Sequence, residues 1–137
     1  MADLKVVVHG ALGKMGQEVL NAVNITDGLV PVGGADFAAS EDTVNIPNSN
    51  SEIPLTNDLS QVIGKADVVV DFTNAEGARN VMTVSAPAGV HCVIGSTGMS
   101  EKDLTLAQNL ATDNGTSIII APNFAMGAVL MLSLIHI

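Results

Sequence analysis

Three glycines spaced three apart, and one acid twenty residues further on, carry most of the chemistry in this chain. Gly10, Gly13 and Gly16 lie in the run Val6-Val7-Val8-His9-Gly10-Ala11-Leu12-Gly13-Lys14-Met15-Gly16. The run reads as a buried strand, a tight turn and the start of a helix. A helix start presents free backbone N–H groups and the positive end of the helix dipole, and together these hold phosphate. Gly10 is expected to allow the turn, Gly13 to let a pyrophosphate approach the backbone, and Gly16 to let the helix pack close to the sheet. Asp36 follows the next apolar run, residues 29–35. An acid at that distance accepts hydrogen bonds from an adenosine ribose. The set points to a nicotinamide dinucleotide. The plainer alternatives are a purely structural turn and, for Asp36, an exposed loop acid.

The same residues speak to cofactor choice. A carboxylate at Asp36 suits the 2′-hydroxyl of NADH and repels the 2′-phosphate of NADPH. Phe37 stands where an arginine would help to hold that phosphate. NADH is therefore favoured, with NADPH left open by Lys14, the only cation nearby in sequence. Phe72 and Thr73 follow a third apolar run and are expected to flank the cofactor near the nicotinamide ribose, although Thr73 suits a helix cap equally well. Gly95, Ser96 and Thr97 follow a fourth run. They read as holding the nicotinamide end or the substrate, or as a simple hydroxyl-bearing turn. His9 and His91 read as packing residues and Cys92 as a small buried strand residue. His136 sits in the terminal tail. No combination of His, Cys and acid has metal-ligand spacing, and no residue is assigned a catalytic role.

Alternating βα units position these residues. Strands are expected at residues 4–8, 29–35, 66–72, 90–94 and 116–121, and helices at 14–23, 58–63, 74–85 and 100–112, with a further helix from Ala125. Met15, Val19, Leu20 and Val23 would form the apolar face of the first helix. Asp58 is a plausible N-cap, and Ser100 with Asp103 makes a capping box. Residues 37–53, polar and containing Pro47, read as a loop. Such alternation demands an α/β doubly wound parallel sheet with helices on both faces. Its ligands sit beyond the carboxyl ends of the strands, where the candidate residues all fall.

Composition narrows the field. The chain has 137 residues, a net charge of −9, 47% hydrophobic and 14% charged residues, and no Trp or Tyr. The five basic residues do not cluster, so no nucleic-acid footprint exists. No apolar stretch is long enough for a membrane span. The N-terminus lacks signal-peptide features, and the single Cys92 precludes an internal disulfide. A cytoplasmic protein with a small-molecule ligand is the expectation.

Four blocks extend this reading: Gly10–Gly16 (G-A-L-G-K-M-G), Asp71–Gly77 (D-F-T-N-A-E-G), Gly95–Met99 (G-S-T-G-M) and Ala121–Gly127 (A-P-N-F-A-M-G). In this order and spacing the chain resembles 4-hydroxy-tetrahydrodipicolinate (dihydrodipicolinate) reductases of lysine and diaminopimelate biosynthesis. The resemblance implies a Rossmann domain over residues 1–124 and hydride transfer from NADH or NADPH to a cyclic dipicolinate precursor. It implies that Gly10, Ala11, Leu12, Gly13, Lys14, Met15 and Gly16 wrap the pyrophosphate and that Asp36 takes the ribose. Gly95, Ser96 and Thr97 would lie at the nicotinamide end, with Ala121, Pro122, Asn123 and Phe124 lining the cofactor at the hinge. The complete enzyme would be a homo-oligomer.

The family's second, α+β substrate domain carries an E-x-H-H-x-x-K-x-D-x-P-S-G-T-like segment that is absent from this chain. Residues 125–137, almost wholly apolar, read as the start of an inter-domain helix, truncated or ending in a foreign tail. The expectation is a cofactor-binding half that binds NADH weakly and turns over nothing alone. Two rivals stay open: the cofactor half of a homoserine or aspartate dehydrogenase, and a non-enzymatic nucleotide-binding module.

Overall fold

The computed structural model of the chain describes residues 3–121. Expectations for residues 122–137, including Pro122, Asn123, Phe124, the helix from Ala125 and His136, lie outside the described residues. Seven strands form one sheet: β1 (Leu4–His9), β2 (Leu29–Ala35), β3 (Thr43–Asn45), β4 (Glu52–Thr56), β5 (Val68–Asp71), β6 (His91–Ile94) and β7 (Ile118–Ile120). Their order is β3-β4-β2-β1-β5-β6-β7. All pairings are parallel except β3 with β4. Among the described residues three α-helices accompany them: α1 (Lys14–Ile25), α2 (Ala75–Ser85) and α3 (Glu101–Asn114).

Both faces of the sheet are covered, which explains the unbroken apolar runs at its centre. Alternate residues enter different cores. Val6 and Val8 of β1, with Val68 and Val70 of β5, pack with Val19, Leu20 and Val23 of α1. Val7 and Val69 pack on the opposite face with Ala78, Val81 and Met82 of α2 and Ala107 of α3. Cys92 of β6 joins this second core, and burial pushes its thiol up to about 12.

The local signals act where the sequence places them. Ser100 Oγ accepts from the Asp103 amide at 3.2 Å, while Asp103 Oδ2 accepts from the Ser100 amide at 2.9 Å, closing the capping box of α3. Asp58 caps its turn by accepting from the Ser60 amide at 3.0 Å. The segment 58–63 is not one helix, however, but two short 3₁₀ turns, Leu59–Gln61 and Ile63–Lys65. Leu59, Val62 and Ile63 of these turns all enter the α2-side core.

The segment 37–53 is also not a plain loop. It holds β3 and the start of β4, which pair antiparallel with Val44 opposite Ile53. Val44, Ile46, Ile53 and Leu55 alternate inward and close the edge of the α1-side core. The period-2 signal is one inward residue on β3 and two on β4, and the prolines and asparagines around it mask it.

Candidate functional site

The chain leaves β1 in one direction toward β2 and later returns to β5 on the other side of β1. This reversal opens a crevice at the carboxyl ends of β1 and β5, the usual ligand position in such sheets. A cleft of about 520 Å³ lies there, lined by His9, Gly10, Asp36, Phe37, Thr73, Asn74, Glu76, Gly77 and Asn80. Its volume falls in the range of small-molecule sites.

The glycine turn is built by backbone contacts that side chains would block. Gly10 has φ +84°, in the left-handed region that favours glycine. Its amide donates to Ala35 O at 2.7 Å, which ties the turn to the end of β2. At Gly16 an added Cβ would run into the Gly10 carbonyl, so α1 sits on its own turn at a separation only glycine permits. The expected close packing at Gly16 is thus against the turn itself. At Gly13 an added Cβ would meet only Gly10 O, at an ordinary 3.5 Å, so among the described residues nothing else fills the space in front of it.

Electrostatics single out the same helix end. Gly13, the N-cap of α1, offers no side-chain hydrogen bond, and the first turn of α1 contains no acid. The other two α-helices are both capped and acidic at their starts: α2 by Asn74 with Glu76, α3 by Ser100 with Glu101 and Asp103. The α1 terminus therefore keeps its amide donors and positive dipole end for an external anion.

Asp36 is buried at 8% exposure, not the exposed loop acid of the alternative reading. Its Oδ2 accepts from the Leu12 amide at 2.9 Å and its Oδ1 from the Ala38 amide at 3.0 Å. The acid thus clamps the glycine turn to β2 and shapes the bend beyond it. Each carboxylate oxygen retains accepting capacity, and the residue lines the cleft, so it fits a hydroxyl donor such as a ribose.

A second carboxylate, unassigned by sequence reasoning, organises the floor. Asp71 is fully buried at the end of β5. Its Oδ1 accepts from Thr73 Oγ1 at 2.7 Å and its Oδ2 from Ser96 Oγ at 2.6 Å. His9 Nδ1 lies 2.7 Å from Oδ1. Because the carboxylate accepts, Nδ1 is the ring nitrogen that carries the proton. One acid thereby joins the end of β1 to the turns after β5 and β6. His9 is consequently more than a packing residue: it lines the cleft and is anchored from below. Asp71 and His9 are register partners in the sheet, a pairing that the sequence hints at only by ending two apolar runs with polar residues.

The other expected positions distribute as follows. Gly10, Asp36 and Thr73 meet at the cleft. Thr73 bonds Asp71, and the cap of α2 falls to Asn74, which accepts from the Gly77 amide at 2.8 Å. Ala11 is buried and Lys14 exposed. Phe72 packs against the α1-side core, with its ring on the Gly95 backbone. Ser96 reaches the site through Asp71, while Ala121 is buried with its amide on Ile94 O at 2.7 Å. His91 is structural as expected, its Nδ1 accepting from the Ser117 amide at 3.0 Å. Asn74, Glu76, Gly77 and Asn80 line the cleft without having been singled out, because only the docking of α2 brings them there.

Comparison with known proteins gives these features a lineage. Residues 4–124 match the family described as "Dihydrodipicolinate reductase, N-terminus". A 4-hydroxy-tetrahydrodipicolinate reductase from Dehalococcoides mccartyi is 43% identical over 136 residues, covering 98% of this chain and 52% of the relative. The solved structure of a dipicolinate-bound dihydrodipicolinate reductase from Paenisporosarcina sp. TG-14 superposes with a TM-score of 0.76 at 33% identity, over 96% of this chain and 52% of that one. A homoserine dehydrogenase from S. aureus superposes with a TM-score of 0.66 at 20% identity, a likeness of fold alone. The chain spans about half the length of the curated relatives it matches. Strand order, glycine turn and sequence agree: the chain belongs to the dihydrodipicolinate reductase family and carries that family's N-terminal domain.

Proposed function

We propose that residues 1–124 form the nicotinamide-dinucleotide site of a 4-hydroxy-tetrahydrodipicolinate reductase, with residues 125–137 leading toward a substrate domain. The observation that carries this reading is the uncapped, acid-free start of α1 clamped to Asp36 at the switch point of the sheet. The amides of Lys14, Met15 and Gly16 in the first turn of α1 would hold the pyrophosphate, and Asp36 the adenosine ribose. Thr73 and Ser96, both held by Asp71, would position the nicotinamide end. The bound dinucleotide supplies a hydride to a cyclic dipicolinate precursor; the chain's own part is to bind and orient it.

Asp36, followed by Phe37 with no cation among the cleft-lining residues, favours NADH over NADPH. The family match and the 33% identity to a reductase structure support this reading over the homoserine dehydrogenase one, whose likeness is confined to the fold.

Calorimetric titration of the chain with NADH tests it. Saturable heat in the micromolar to millimolar range is expected, with weaker binding of NADPH. No heat at millimolar NADH would refute the assignment.

A further inference from the structure

Phe37 is the most exposed large hydrophobic residue among those described, at 90%. It does not stand on a loose loop. The Asp36 amide donates to Thr56 O at 3.0 Å, the Ala39 amide to Asp36 O at 2.9 Å, and the Ala38 amide to Asp36 Oδ1 at 3.0 Å. The backbone on both sides of Phe37 is therefore held, and the ring is presented at the wall of the cleft. A ring carried on fixed backbone yet left uncovered contributes little to folding. Its contact surface is available to whatever enters the cleft.

The chemistry of the wall narrows what that is. Asp36, the chain neighbour of Phe37, and Glu76 line the same cleft, and among the described residues no Lys or Arg does. An additional phosphate in this cleft would meet two acids and no cation among them. An uncharged, flat heteroaromatic group meets no such opposition and gains stacking on the ring. In a dinucleotide the adenine is joined to the same ribose whose hydroxyls Asp36 is suited to accept, one bond from the sugar ring. The residue next to Asp36 is thus within reach of the base.

We infer that Phe37 is the adenine platform of this site: affinity at the adenosine end comes from stacking on its ring, in place of a charge contact to a 2′-phosphate. The inference rests on the dinucleotide reading above and adds to it a residue that selects for the base.

The test titrates the full chain and two variants, Phe37→Leu and Phe37→Trp, with NADH and with adenosine diphosphate ribose. Leucine keeps apolar bulk without a π-face, and tryptophan restores the π-face. Phe37→Leu is expected to weaken both ligands about tenfold, while Phe37→Trp binds at least as well as the parent. The chain has no Trp or Tyr, so the indole emission of Phe37→Trp also reports the adenine end directly and is expected to be quenched by either ligand. Unchanged affinity in Phe37→Leu, or equal losses in both variants, would overturn the inference while leaving the dinucleotide reading intact. Failure of the parent chain to bind NADH would overturn that reading, and this inference with it.

Discussion

Asp71 does the most at the scale of single residues. It is buried, and three side chains, one from the end of β1 and two from turns, converge on its two oxygens. Removing the carboxylate would leave the Thr73 and Ser96 hydroxyls and the His9 ring nitrogen without their acceptor. Ser96 is buried, so stranding its hydroxyl costs about 1–3 kcal/mol before relaxation, while His9 and Thr73, more open to water, add less. Asp71→Ala is accordingly expected to lose about 3 kcal/mol in urea denaturation and to weaken NADH binding, because the walls of the cleft lose their common anchor. An unchanged denaturation midpoint would show that Asp71 is not the anchor proposed. Asp36 differs in kind: its partners are backbone amides of the bend and of the glycine turn, so it shapes the site and faces the ligand at once.

Elements are held by caps as well as by cores, and α3 shows how the two combine. The Asp103 carboxyl is held below its ordinary value, first because the Ser100 amide donates to it, with further help from Arg79 and against the opposing effect of burial. Arg79 reaches both carboxylate oxygens at 3.1 Å but is half-exposed, so solvent weakens its share. A carboxyl whose value is depressed on folding stabilises the native state above its unfolded value, near 4, and that contribution is lost as pH falls through the folded value. Asp103→Asn is therefore expected to melt below the parent at pH 7, with the gap closing progressively below about pH 4. Ser100→Ala removes the other half of the box and is expected to cost about 1 kcal/mol, read as a fall of about 4 °C in Tm. A gap between Asp103→Asn and the parent that stays constant from pH 7 to pH 3 would contradict this account.

For the whole molecule, the net charge of −9 opposes the approach of an anionic dinucleotide. Attraction is confined to the α1 terminus and its amides, at contact distance, where salt screens least. Repulsion acts over longer distances, where salt screens most. NADH affinity is thus expected to rise roughly twofold between 20 and 200 mM NaCl, measured by calorimetry. A fall in affinity over that range would mean that a local positive field, not the overall charge, governs encounter. The sheet order contributes at this scale too, because the cleft exists only where the chain reverses direction between β1 and β5.

Much of this protein is written locally. Runs such as Val6–Val8 and Val68–Val70 specify central strands because both faces of such strands are buried, and the spacing of Gly10, Gly13 and Gly16 specifies a turn because neighbouring backbone atoms crowd every other residue type. Ser100 and Asp103 close a cap within one helical turn. These signals operate over a few residues, so periodicity and steric exclusion expose them. The strands β3 and β4 are less legible, since β3 turns one residue inward and β4 two, amid turn-forming neighbours. Tertiary structure alone decided the long-range partnerships: Leu12 with Asp36, His9 with Asp71, and Asp71 with Ser96. Each depends on which strands become neighbours and in what register. Register is set by summing the packing of whole faces, and no local pattern around a single carboxylate records that sum.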